Sequence, residues 1–117
     1  MAISRFEDII AWQKSKELVF ALYKTMKENR DYSFKDQLLR SAVSVMNNIA
    51  EGFERKGDKQ FRNFLTIAKG SCGELRSMLY LAQELKYISD QDFKRFYSLS
   101  IEISKLVTGF IHSLVVP

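Results

Sequence analysis

The chain predicts an all-α fold, an antiparallel up-down-up-down four-helix bundle. Three observations carry that expectation. Apolar residues recur at three- and four-residue steps through four long segments, breakers are nearly absent within them, and no segment shows the two-residue alternation of a half-buried strand. One proline, Pro117, and five glycines in 117 residues leave room for long helices joined by short turns. At 46% hydrophobic and 27% charged residues the composition is globular, and residues 1–117 are long enough for a single domain with one core.

The first helix is expected over about residues 8–28. Ile9, Trp12, Val19, Tyr23 and Met26 form its periodic series, with Lys16 filling one place and Ala11, Leu18 and Leu22 on a flank. A loop, Asn29-Arg30-Asp31-Tyr32, follows. Ser33, with Asp36 three residues later, resembles a capping box and opens the second helix, expected over 33–54. The core face there reads as Leu39, Ala42, Val43, Met46, Ile49, Ala50 and Phe53.

Gly57-Asp58 marks the next turn, and the third helix is expected over 58–86. Phe61, Leu65, Ala68, Cys72, Leu75, Leu79 and Ala82 step 4-3-4-3-4-3, a heptad seam that favours antiparallel packing at shallow crossing angles. Ser89 and Asp92 open the fourth helix, expected over 89–116. Phe93, Phe96, Tyr97, Ser100, Ile103, Val107, Phe110 and Leu114 form its inner side.

Apolar surface exceeds what four helices need to hide. Leu99, Leu106 and Ile111 widen the stripe of the last helix to about half its circumference, and Phe64, Ile67, Met78, Leu81 and Leu85 flank the heptad of the third. Either a thick core absorbs these residues or a second apolar surface is buried between subunits. The oligomer is the favoured expectation, because exposed patches of this size are unusual on monomers.

Neither a cofactor nor a metal is implied. His112 lies on a polar side beside Ser113 and Lys105, and Cys72 falls inside the heptad as a small apolar residue. Glu51 and Glu74 are isolated carboxylates, and the Glu-x-x-His pairs of di-iron bundles do not occur. The expectation is a protein without enzymatic activity. No apolar run approaches the roughly 18 residues of a membrane span, and Met1-Ala2-Ile3-Ser4-Arg5 does not begin a signal peptide. With a lone cysteine, the default is a soluble cytoplasmic protein without a membrane partner.

Eighteen basic residues against fourteen acidic ones give a net charge of +4, so placement matters more than the total. Arg62, Lys69 and Arg76 lie seven residues apart on one side of the third helix. They span ~21 Å by helix rise, with Tyr80 and Tyr87 continuing the side and Arg55, Lys56 and Lys59 preceding it. Such a row suits a nucleic-acid backbone, with tyrosines to stack on unpaired bases; an ordinary solvated face explains it too. Beside it Thr66, Gly70, Gly73 and Ser77 step 4-3-4, small residues whose low helix propensity points to a close neighbour or ligand. On the second helix Arg40, Ser44, Asn47, Asn48 and Glu51 make a specified polar face, either a binding surface for a protein partner or a subunit contact.

Phe6 with Trp12-Gln13, then Arg40, Ser44 and Asn48-Ile49-Ala50-Glu51-Gly52, then Phe64-Leu65, Ala68, Gly70-Ser71 and Glu74-Leu75, together resemble the four-helix-bundle proteins encoded by intervening sequences in bacterial 23S rRNA genes. The resemblance covers nearly the whole chain. Val45-Met46-Asn47 departs from it, since members commonly carry a proline there, as does Asn29-Arg30-Asp31-Tyr32-Ser33 in place of a Pro-containing acidic turn. The resemblance implies a ring, a homopentamer of bundles. It also implies kinship with the accessory variability determinant of diversity-generating retroelements, a basic barrel-like helper that engages nucleic acid and a reverse transcriptase. It assigns no biochemical role. The leading functional expectation is an oligomeric adaptor that binds RNA or DNA weakly through a basic surface, and the alternative is a protein-interaction scaffold.

Overall fold

The computed structural model describes residues 3–114. A single 3₁₀ turn at Phe6–Asp8 leads into four helices, α1 (Ile10–Thr25), α2 (Tyr32–Glu54), α3 (Asp58–Glu84) and α4 (Asp90–Ser113), with no strand among the described residues. α2 packs on α1 and α3, and α4 closes the ring of contacts by packing on α3 and α1, so each helix takes one corner of a rod of 45 × 22 × 21 Å. This is the expected all-α four-helix bundle. The expected end of α4 near residue 116, and Pro117, lie outside the described residues.

Helix boundaries follow local chemistry. α1 starts later than expected because Phe6–Asp8 forms its own turn. Phe6 sets its ring edge-on to Trp12 at 5.1 Å, and Gln13 Nε2 donates to the Glu7 carbonyl at 2.9 Å, so the opening motif folds back over the start of the helix. α2 is capped by Asp31 rather than by the Ser33–Asp36 pair. Its carboxylate accepts from the Phe34 N–H at 3.2 Å, two residues upstream of the expected cap. The same carboxylate accepts from the Tyr87 hydroxyl at 2.7 Å, tying the α3–α4 turn to the start of α2. Ser89 caps α4 as expected, accepting from the Asp92 N–H at 3.0 Å. Gly57 precedes α3 at φ 117°, which a side chain resists.

The α3 heptad holds throughout: Phe61, Leu65, Ala68, Cys72, Leu75, Leu79 and Ala82 are all buried. α1 is rotated from its expected orientation. Ala11, Ser15, Leu18 and Leu22 face the core while Tyr23 is 52% exposed. Ser15 can be buried because its hydroxyl donates to the Ala11 carbonyl at 2.7 Å. α2 turns likewise toward Leu38, Val45 and Gly52, leaving Val43, Met46, Ala50 and Phe53 half-buried.

Candidate nucleic-acid interface

α3 positions most of the residues that matter. With its heptad turned inward, Thr66, Gly70 and Ser77 come to the exposed side, with Gly73 half-buried under Arg76. The α4 side carries the basic row and the α2 side carries Ile67, Glu74 and Leu81. Arg62 and Lys69 are exposed, and no carboxylate is paired with Lys69 among the described residues. Arg76 is half-buried and lies back toward the α3–α4 contact. Its Nη1 is shut off from solvent without an acceptor, and its Nη2 is the atom nearest the place of a Gly73 Cβ, at 3.7 Å. Burial pushes the Cys72 thiol up, with the Arg76 guanidinium pulling the other way. The thiol donates to the Ser100 carbonyl at 3.1 Å. Cys72 is the packed residue the heptad implied.

The turn residues divide. Lys56 and Lys59 are exposed, whereas Arg55 pairs with Glu51 at 2.8 Å and sits 5.1 Å from the Phe64 ring centroid. The tyrosines divide too. Tyr87 is taken up by Asp31 and by an edge-on contact with Phe34 at 5.3 Å. Tyr80 rests against Phe93 and Tyr97 and stays 52% exposed. Among the described residues nothing outside its own helix turn comes within 4 Å of where a Gly70 Cβ would stand, so the expected close neighbour is not found among them.

On the polar face the structure joins Ser44, Asn48 and Ser71. The two hydroxyls stand 2.8 Å apart across the α2–α3 contact, and Asn48 Nδ2 donates to the Ser44 carbonyl at 2.8 Å and to Ser44 Oγ at 3.0 Å. Arg40 pairs one turn back with Asp36 at 3.0 Å and is exposed, as is Glu74. Gly52, quoted in the sequence only as the end of the Asn48–Gly52 run and given no packing role there, completes the seam. A Cβ on Gly52 would stand 2.6 Å from Phe64 Cβ and 3.0 Å from Phe61 Cδ1. Its signal lay in register, since Gly52 falls seven residues after Val45 on the inner face. Ser44, Asn48, Gly52, Phe64 and Ser71 thus make one structural joint between α2 and α3.

The family model described as 23S rRNA-intervening sequence protein matches residues 7–109, a range that includes all of these positions. The chain belongs to that family. A solved structure from Bacteroides thetaiotaomicron, a protein with unknown function from the S23 ribosomal protein family, superposes with a TM-score of 0.82 at 28% identity, over 89% of this chain and 100% of the other. Comparison with curated proteins finds no relative. In this 23S rRNA-intervening sequence protein Ser44, Asn48, Gly52, Phe64 and Ser71 are thus architectural, forming the α2–α3 joint, while the basic row lies on the α3–α4 side, away from that joint.

The surplus apolar surface is also distributed differently from expectation. On α4, Leu99, Leu106, Phe110 and Ile111 pack half-buried on the core. Exposure concentrates on both flanks of α2: Phe20 and Tyr23 on the α1 side, and Ile67, Leu81 and Leu85 on the α3 side. Among the described residues no helix is long and apolar enough to cross a membrane, and no cluster of three or more His, Cys, Asp or Glu could hold a metal ion.

Proposed function

We propose that the protein is a non-enzymatic, self-associating helical bundle that binds RNA or DNA weakly through phosphates. The observation that carries this reading is the row on α3: Arg62 and Lys69 stand exposed, two helical turns apart, and Arg76 continues them. Lys56 and Lys59 extend the charge into the α2–α3 turn. Single rows of this kind bind weakly, and copies arranged around a symmetry axis strengthen one another by avidity. The exposed apolar flanks of α2 support self-association. The pentamer implied by the family resemblance is the assembly proposed, and a buried, reduced cysteine fits a cytoplasmic setting. No reaction step is included, because Cys72 is occupied as a donor to a backbone carbonyl and His112 is simply exposed.

Titration of a fluorescent structured RNA at several salt concentrations tests the reading. Log affinity should fall linearly with log salt, and Lys69→Glu should weaken binding and flatten the slope by about one unit or slightly less. Negligible binding at low salt would sink it. A protein-interaction scaffold is then the better account, favoured by partner capture that depends on Glu51 or Arg40 and ignores Arg62.

A further inference from the structure

Three rings and one cation meet where α3 packs on α4. Tyr80 stands against Phe93 with centroids 5.2 Å apart and planes at 54°, and against Tyr97 at 5.5 Å and 70°. Phe93 and Tyr97 stack on each other at 5.5 Å and 30°. These contacts brace the Tyr80 ring, yet 52% of the residue remains exposed. The Tyr97 hydroxyl beside it holds the Tyr80 phenol above its ordinary value, so it stays neutral. One turn earlier on the helix lies Arg76. A guanidinium N–H removed from water and given no acceptor is unfavourable. An anion at the surface that draws Arg76 outward removes that cost and forms a charge-assisted pair. Gly73 leaves the way clear, since only Arg76 itself comes within 4 Å of where its side chain would be.

We propose that this corner of the α3–α4 edge is a nucleotide subsite, in which Tyr80 stacks one unpaired base and Arg76, swung out past Gly73, takes an adjacent phosphate, with Lys69 next along the helix. The inference rests on the nucleic-acid reading above and adds a preference for unpaired strands. A base inside a duplex has both faces covered by its neighbours and offers Tyr80 nothing to stack on, whereas phosphates alone do not distinguish the two forms in this way. Of the two tyrosines that continue the basic row along α3 and into its following turn, only Tyr80 is assigned the role, because Tyr87 is committed to Asp31 and Phe34.

The test compares a labelled oligouridylate with a blunt RNA duplex of equal charge at one low salt concentration. Expected is an affinity for the single strand about tenfold or more above that for the duplex, given the usual strength of base–aromatic stacking. Tyr80→Leu should abolish that preference while leaving duplex binding unchanged, and Tyr80→Phe should keep it. Arg76→Gln should weaken single-strand binding more than duplex binding, and Lys69→Glu should weaken both. Should Tyr80→Leu fail to fold, the wild-type Tyr80 ring protons provide the readout, with an upfield shift on adding oligouridylate expected. Equal affinity for both probes with Lys69→Glu still damaging, or an unshifted Tyr80 ring, overturns the subsite and leaves the phosphate reading standing. Binding of neither probe overturns both.

Discussion

Gly52 shows how a single missing side chain sets the distance between two helices. α3 approaches α2 so closely there that an added Cβ falls 2.6 Å from Phe64 Cβ, inside any real contact. Backbone must move to admit it, so Gly52→Ala should destabilise the fold by about 1–3 kcal/mol, the usual range for overpacking, read as a lowered thermal midpoint by circular dichroism. Lys86 presents the opposite case. It holds φ 61° in the turn after α3, where the Tyr87 N–H returns to the Ala82 carbonyl at 2.9 Å. The left-handed conformation is unfavourable for a side chain and free for glycine, so Lys86→Gly should raise stability by about 0.5–1 kcal/mol in urea denaturation. Cys72 sets a pH limit. Its folded value lies above the ordinary 9.0, so the folded chain holds this proton more tightly than the unfolded one. The contribution is fully present below 9.0 and is lost as pH rises through the folded value. Native protein at pH 8 should accordingly resist thiol alkylation until denaturant exposes the cysteine, and prompt labelling of the folded protein would contradict the burial argument.

At the level of the helix, period was legible throughout, and phase was legible in α3 and α4 but not in α1 or α2. The α3 heptad mixes apolar and strongly polar positions, so only one face can be inward, and every residue assigned to it is buried. α1 carries two competing stripes. Trp12, Val19 and Tyr23 look like the core because they are large, yet the helix turns Ala11, Ser15, Leu18 and Leu22 inward, and of the expected series only Ile9 and Met26, at its two ends, are buried. Small residues let α1 approach its neighbours closely, a property of the assembled bundle that side-chain size in one segment does not disclose. The basic row was legible as a helical side, but the withdrawal of Arg76 depends on what α4 places opposite it. Gly70 carries a prediction here. It costs α3 helix propensity, and among the described residues a Cβ there would meet nothing within 4 Å outside its own helix turn, so Gly70→Ala should stabilise the isolated bundle by about 1 kcal/mol. If the same change also weakens RNA binding in the salt titration, the bare backbone at Gly70 serves close ligand approach; if binding is unchanged, the glycine is merely tolerated.

For the molecule as a whole, four cornered helices put five of the exposed large apolar residues, Phe20, Tyr23, Ile67, Leu81 and Leu85, on two adjacent sides that share α2. Phe20 and Tyr23 are 66% and 52% exposed on one side, and Ile67 and Leu81 are 51% and 45% exposed on the other. Joining one side of a copy to the other side of the next is a heterologous contact, and because adjacent sides of a square rod meet at about a right angle, repeating it turns the chain of copies back on itself into a small ring rather than a filament. Light scattering should give a mass several times that of one chain, and Phe20→Glu or Ile67→Glu should each reduce it to a monomer while circular dichroism stays helical. Mixing the two variants decides the geometry. Each retains the side that the other has lost, so a head-to-tail contact predicts a heterodimer in the mixture that neither variant forms alone. A two-fold contact of like sides predicts instead that one of the two variants keeps its assembly unmixed. A wild-type protein that is monomeric at every concentration would leave both flanks of α2 to a different partner and remove avidity from the account of nucleic-acid binding.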